Sequence, residues 1–431
     1  MKRPVALSRR CFLQTSSVVA AATLVPRHVL GMGELPPSEQ LGGALIGSGG
    51  RGPGTYQDLE KGFFSQLGTE VRMLARCDVR FKGREGKSED HKRVLETKDG
   101  AKLERVDHPT IYTDFRKVLE RKDIDVVAIG THPGWHASIS IAAMEAGKDV
   151  VCEKPMCRFI AEGRAVVQAE RRFGRVFQIG TYGRFGANRQ THKIMASGLL
   201  KQCSGVVIVK GGFKVKEWSG MVNAKPEKVP DWLDWDLYCG PAPLRPYFPH
   251  RFGGTHRGYW DYEGGGLSDM GQHHLDGFNY AFAKDHTSPV SIEAHAPPAH
   301  PEACGLWGWC ELTYADGLTL VLESGEWGRP YDRKKHRGVS LDDLSKEDQA
   351  KLKALPDPEP LLTFAQAVKA RKLSGGHAEA AHRTSTLFHL ANIAFRTGRK
   401  LQYDPVREEI VGDEEAGRLV RQPMRAPWRL V

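Results

Sequence analysis

Apolar positions along the chain come in two textures. Up to about residue 180, short continuous apolar runs alternate with stretches of helical spacing. "LGGALIG" from 41, "TEVRMLARCDV" (69–79), "DIDVVAIG" (123–130) and "GKDVVCE" (147–153) read as strands. Between them, 53–63, 114–121 and "HASISIAAMEAG" (136–147) read as helices. That rhythm predicts a doubly wound parallel sheet. Residues 80–110 are charged and aperiodic and read as a surface insertion, and a further helix–strand pair covers 161–180. Beyond 200 the strand-like runs are 204–213, 290–296 and 309–324, the last a hairpin turning at Asp316-Gly317. Long connections rich in Pro, Gly, Trp and Tyr separate them, and 362–397 turns helical before an extended tail. This half predicts an α/β domain with an open, mostly antiparallel sheet and helices on one face.

Composition narrows the choices little. The 431 residues suffice for two cores, and the net charge of +10 comes from scattered cations: Arg333, Lys334 and Lys335 sit near Asp342 and Asp343. No basic stripe with interleaved aromatics marks a nucleic-acid surface. The N-terminus says more. Arg9 and Arg10, then Phe12 and Leu13, precede an apolar stretch over 15–25 that is too short to span a bilayer. This resembles a twin-arginine export signal, which predicts a periplasmic or otherwise exported protein, handled by the twin-arginine machinery and without stable membrane insertion. Eight cysteines include Cys11 in that segment; the remaining seven contain no C-x-x-C, and Cys152 and Cys157 lie five apart, so no metal site is expected.

Gly47, Gly49 and Gly52 form G-x-G-x-x-G directly after the first strand, with Ser48, Gly50 and Arg51 filling the turn. A turn of this kind brings backbone amides against a pyrophosphate. Asp78 ends the next strand, where a carboxylate can hold the adenosine ribose hydroxyls and favours NAD; Arg80 can instead pair with the 2′-phosphate of NADP, so both stay open. The domain reading is therefore signal and linker over 1–40, an NAD(P)-binding Rossmann domain over 41–157, and a substrate and oligomerisation domain over 158–431. "CEKPMC" (152–157) closes the fourth strand at the ligand-binding edge of such a sheet and aims Lys154 at the nicotinamide; a cis Lys154-Pro155 bond would fix that aim. Farther on, "EGGGLSDMGQHHLDGFNYAF" predicts a helix capped by Ser268, with Leu275, Phe278 and Phe282 on one face. Asp269, His273, Asp276 and Tyr280 lie opposite, and His274 faces elsewhere. A carboxylate one turn before a histidine can fix its tautomer. Trp232, Trp235, Tyr247, Trp260 and Tyr262 offer flat rings for sugar C–H faces.

These motifs resemble the Gfo/Idh/MocA oxidoreductases. "GSGGRG", "CDV", "AGKDVVCEKP", "DMGQHHLD", "AHRTSTLFHLANIA" and "GDEEA" carry the likeness over nearly the whole chain. The resemblance implies a Rossmann domain joined to an α/β domain whose open sheet supports the substrate cleft and homo-oligomer contacts, as a dimer or tetramer. It maps the family's lysine onto Lys154 and its acid–histidine pair onto Asp269 and His273, places Glu153 at the nicotinamide ribose, and adds Thr131 and His136 beside the cofactor and Tyr182 and Arg184 beside the substrate. The chain departs from the family at "CDVR" and at "THPGWH", where His132 replaces the usual proline.

The implied activity is hydride transfer between a sugar, glycoside or polyol carbinol and a tightly bound NAD (or NADP). His273 acts as base, Asp269 orients it, and Lys154 stabilises the oxyanion. Export favours a cofactor that stays bound and is recycled in place. A redox-neutral glycosidase or epimerase using transient oxidation, and a sugar-binding protein without turnover, are the alternatives.

Overall fold

A computed structural model describes residues 40–61, 71–96, 102–181, 183–200, 205–335, 337–340 and 343–430. The export-signal expectation and Tyr182 lie outside these residues.

The first half contains β1 (Leu41–Ile46), α1 (Gly52–Lys61), β2 (Val71–Cys77), β3 (His91–Glu96), β4 (Lys102–Asp107), β5 (Thr110–Tyr112), α2 (Phe115–Leu119), β6 (Val126–Ile129), α3 (Pro133–Glu145), β7 (Asp149–Cys152), α4 (Ile160–Phe173) and β8 (Phe177–Ile179). Six strands form a parallel sheet in the order β5-β2-β1-β6-β7-β8. The strands β6 and β7 are buried along their whole length, as a sheet with both faces covered requires. The sheet runs past the boundary drawn at 157/158: β8 pairs with β7, Val150 opposite Phe177, so the first body extends through Ile179. The stretch 80–110, read as aperiodic, holds two paired strands: β3 and β4 run antiparallel with His91 opposite Asp107.

The second half contains α5 (Arg189–Ala196), β9 (Val206–Lys210), α6 (Trp235–Cys239), α7 (Gly265–Ala281), β10 (Ser291–His295), β11 (Trp309–Thr313), β12 (Thr319–Glu323), α8 (Lys346–Ala354), α9 (Phe364–Ala370), α10 (Ala378–Thr397), β13 (Leu401–Asp404), β14 (Glu409–Val411) and α11 (Glu414–Gly417). Its sheet is ordered β14-β13-β10-β11-β12-β9, antiparallel except for the β12–β9 pair. The β11–β12 hairpin turns at Gly317, whose φ of +89° suits glycine. Helices α7 and α10 cover one face; Leu275, Phe278, Leu387 and Leu390 share a core with Ile292, Leu312 and Leu320. Ser268 does not cap α7. The helix begins at Gly265, and Ser268 accepts a hydrogen bond from Asn392 Nδ2 at 3.0 Å.

The C-terminal tail is not merely extended. It supplies β13 and β14, and its last residues return to the first body, where Trp428 packs edge-on to Trp135 with ring centroids 4.6 Å apart. Among the described residues, no helix is long and apolar enough to cross a membrane.

Candidate active site

The turn after β1 has no room for a side chain at Gly47 or Gly52. Gly47 has φ +89°, and a Cβ on Gly52 would lie 1.9 Å from the Gly47 carbonyl oxygen. A Cβ on Gly47 would meet the Thr131 amide at 2.4 Å, so the turns after β1 and β6 touch. Gly49, Gly50 and Arg51 face a cleft of ≈ 430 Å³ that continues past Thr131, Glu153 and Lys154 to Asp269 and His273. That size suits a small-molecule site. Ser48 contributes through its backbone: its amide donates to Asp78 Oδ2 at 2.8 Å.

Asp78 is more heavily engaged than a free ribose acceptor. Arg80 donates to it through Nε at 2.8 Å and Nη2 at 2.9 Å, besides its own amide at 2.9 Å. The hydrogen bonds with Asp78 hold the Arg80 guanidinium above its ordinary pKa, and the guanidinium lies over Gly49. A fork of this kind places carboxylate and guanidinium together at the adenosine end.

At the other end, β7 delivers Glu153 and Lys154, and the Lys154-Pro155 peptide is cis. Glu153 is buried, accepts from Thr55 Oγ1 at 2.5 Å and lies 3.3 Å from Arg51 Nε; burial raises its pKa against those partners. Lys154 Nζ donates to Asp269 Oδ1 at 2.6 Å and to the Asp269 carbonyl at 2.8 Å. Asp269 Oδ1 also accepts from Arg257 Nε at 2.6 Å. Burial works to raise the Asp269 pKa, but the Lys154 and Arg257 charges outweigh it and hold the carboxyl below its usual range.

Among the described residues no hydrogen bond joins Asp269 to His273: Oδ1 of the carboxylate takes both cations, and α7 sets the imidazole beside it in the cleft. Burial first, then the Lys154 charge, pushes the His273 pKa down to about 4, so the ring is neutral at pH 7.

Other expected contacts fall elsewhere. His136 is fully buried behind the cleft, its Nδ1 2.7 Å from the Pro155 carbonyl and its Nε2 2.9 Å from that of Thr131. It ties the two turns together from behind. Arg184 is a core residue, 1% exposed, with Nε 3.0 Å from Asp276 and its fork on Asp285. Its position beside glycines reads the same in sequence whether it faces ligand or core. Asp276, also expected on the polar face, is its buried counter-charge. Tyr262 is buried among Trp235, Tyr238 and Tyr247, so this aromatic group is mostly a small core. Trp260 donates to the His300 carbonyl at 2.9 Å and lies outside the main cleft.

The sequence reading missed Arg257, His256 and Glu263, which line the substrate end, and gave His132 no role. His132 caps α3: its Nδ1 accepts from the Gly134 amide at 3.2 Å, which leaves Nε2–H to donate to the Tyr238 carbonyl at 2.7 Å. Glu263 Oε2 is 3.2 Å from His256 Nε2, and burial raises its pKa. These residues occupy an aperiodic connection whose only signal was charge embedded among aromatics. Among the described residues, no cluster of three or more His, Cys, Asp or Glu could hold a metal, and Cys77, Cys152, Cys157, Cys239, Cys304 and Cys310 are free.

The residues present fit a dinucleotide. The turn has no room for a Cβ at Gly47 or Gly52, and Thr131 presents a buried hydroxyl on the cleft wall with no partner among the described residues.

Comparison with known proteins agrees. Residues 88–181 match the oxidoreductase-family NAD-binding Rossmann fold, and residues 186–430 match the oxidoreductase-family C-terminal alpha/beta domain. The chain is 33% identical over 134 residues to inositol 2-dehydrogenase of Salmonella typhimurium, covering 31% of this chain and 36% of that protein. It is also 33% identical over 113 residues to levoglucosan dehydrogenase of Pseudarthrobacter phenanthrenivorans, covering 26% and 28%. The chain thus spans about a third of the length of these curated relatives. The WlbA dehydrogenase from Bordetella pertussis, solved with NADH and UDP-GlcNAcA, shares the fold: TM-score 0.51 at 13% identity, covering 85% of this chain and 99% of that one. With both domains matched, and the second match alone spanning more than half of its length, the chain belongs to the Gfo/Idh/MocA oxidoreductase family and carries that family's NAD-binding Rossmann domain.

Proposed function

We propose that the chain oxidises a carbinol of a sugar, glycoside or polyol, with the hydride passing to a tightly held nicotinamide cofactor. The observation that carries this reading is the continuity of one cleft from the glycine turn to Lys154, Asp269 and His273. The family's dehydrogenases named above point to the same substrate class.

The turn over Gly47–Gly52 and the Asp78–Arg80 fork would hold the dinucleotide, with Thr131 and Glu153 at its nicotinamide end. When bound, the cofactor supplies the acceptor for the hydride leaving carbon. The protein's task is the proton. Lys154 stays paired with Asp269 and presents its remaining N–H to the carbinol oxygen, which favours the negative charge that develops as the C–H bond breaks. His273 is neutral and without a protein donor on its ring among the described residues, so it takes the hydroxyl proton. Asp269 holds the lysine in place and supplies its counter-charge.

The test starts with the purified chain, denatured, and any released nucleotide identified by mass spectrometry. Stoichiometric NAD or NADP supports a resident cofactor. A protein that releases none and binds none when it is added sinks the oxidoreductase reading. Net NADH from one sugar, against glycoside cleavage without net reduction, separates a dehydrogenase from a redox-neutral enzyme.

Two further proposals concern the whole protein. Arg9 and Arg10 before the apolar stretch support export by the twin-arginine route; loss of export on substituting both by Lys checks it, and unchanged export refutes it. The outer face of the second sheet, where Trp309, Glu311 and Thr313 of β11 are half-buried, supports self-association. Light scattering that returns a monomer mass refutes that.

A further inference from the structure

Part of the cleft wall comes from the second half of the chain and has little support of its own. Leu237 and Tyr238 of α6 line the cleft together with the turns that end the first sheet. A helix of five residues does not hold itself in place in water. The carbonyls of its last turn also lack partners within the helix, and here two of them are taken by the first body. Trp135 Nε1 donates to the Leu237 carbonyl at 2.9 Å, and His132 Nε2 to that of Tyr238 at 2.7 Å. Burial holds the His132 pKa well below its ordinary value, so the ring donates as a neutral imidazole. Just before the helix, the Asp234 amide donates to the Val79 carbonyl at 3.0 Å.

The tail grips this joint from behind. Arg425 donates through Nη1 to Asp236 Oδ1 at 2.7 Å, through Nη2 to the Asp236 carbonyl at 2.8 Å and through Nε to the Gly240 carbonyl at 3.1 Å. Three residues on, Trp428 packs against the Trp135 and Phe115 rings, with the Arg116 guanidinium 5.1 Å over it. Phe115 and Trp135 line the cleft, whereas Arg425 and Trp428 do not. The seat is close: a Cβ on Gly240 would meet the Trp135 ring at 2.3 Å. One short segment therefore holds α6 through Arg425 and the first-body wall through Trp428.

We propose that residues 425–428 are a strap that keeps the cofactor site closed, with Arg425 and Trp428 as positioning residues for the dinucleotide. This deepens, and rests on, the reading of a tightly held cofactor. A dinucleotide lying between α6 and the glycine turn leaves when these walls part, and parting them breaks the strap's contacts. Retention is then set partly by side chains that never touch the ligand.

The test loads the purified chain with NADH or NADPH, whichever it binds, and displaces it with excess oxidised cofactor. Stopped-flow loss of the bound-nucleotide fluorescence gives the release rate. Arg425→Gln and Trp428→Ala should each speed release by roughly 10- to 100-fold, the scale of a charged hydrogen bond. Trp428→Phe keeps a ring against Trp135 and should hold most of the wild-type retention. A tail that only stabilises the fold would lower the melting temperature and leave release unchanged. Release at the wild-type rate in both folded variants therefore overturns the strap and leaves the oxidoreductase reading standing. A wild-type chain that binds neither nucleotide overturns both. Should Trp428→Ala not fold, Arg425→Gln decides, since that side chain is 22% exposed and buries little.

Discussion

Replacing Lys154 by Met separates the two roles of the Lys154–Asp269 contact. Both side chains are nearly buried, 10% and 5% exposed, and their atoms meet at 2.6 Å. Breaking a buried pair so that one charge is orphaned costs about 3–5 kcal/mol. In Lys154→Met, Asp269 is not orphaned, because Arg257 stays on the same oxygen at 2.6 Å. The loss should then be nearer that of one hydrogen bond to a charged group, about 1.5–3 kcal/mol. Asp269→Asn orphans two cations at once and should cost the full ~3–5 kcal/mol. At about 2–4 °C per kcal/mol, thermal denaturation should place Asp269→Asn clearly below Lys154→Met, and both below wild type. Activity should order differently. Met removes the N–H offered to the developing oxyanion, which is worth about 10²–10³ in kcat, with little change in KM. Lys154→Met within tenfold of wild-type kcat would remove the lysine from the chemistry. Equal melting of Asp269→Asn and wild type would refute the counter-charge argument.

Three further outcomes follow from the geometry. His273 should titrate near 4 by NMR, and higher in Lys154→Met, since the Lys154 charge is one cause of the depression; a midpoint at 6.5 in wild type contradicts this. His273, His377 and His389, held to about 4, 4 and 3, all bind protons more readily unfolded. Stability should therefore be full above about pH 6.5 and fall as pH drops through 6.5 toward 4, and urea midpoints flat across that window would refute it. Gly52→Ala should abolish nucleotide binding, because its Cβ meets the Gly47 carbonyl at 1.9 Å; unchanged NADH fluorescence titration counts against the site. Arg80→Ala frees Asp78 and should shift the NAD-to-NADP affinity ratio toward NAD, and an unchanged ratio removes Arg80 from cofactor choice.

The first body was largely legible because its strands are continuous apolar runs ending at glycines or polar residues. The edge where β1, β2, β6 and β7 end is where Gly47, Asp78, Thr131 and Lys154 stand, so strand ends located chemistry. Helix starts were less legible: α3 opens at Pro133, not 136, because a His132 cap with proline at the first turn carries no periodicity. Polar residues near glycines misled most. Arg184 and Asp276 show the same spacing whether they face ligand or pair inside the core, and only the Asp285 contact distinguishes them. Arg257 and Glu263 were invisible for a related reason. Their positions depend on how a long aperiodic connection folds over α7, and no local pattern encodes that.

Asp269 joins the two bodies at the point where the chemistry is placed. Lys154 comes from the end of β7 in the first sheet, Asp269 from α7 under the second, and Arg257 from the connection laid across both. A carboxylate with one cation would make a neutral, self-contained anchor, and burying it would gain little over an apolar contact. With two cations on one oxygen it does more: the backbone carbonyl of the same residue takes a second Lys154 proton at 2.8 Å, and Arg257 reaches the carboxylate from a third segment. The arrangement therefore positions Lys154 and holds the two bodies in register. Raising ionic strength should leave the nearly buried Lys154–Asp269 contact largely undisturbed, because screening acts on charges exposed to solvent.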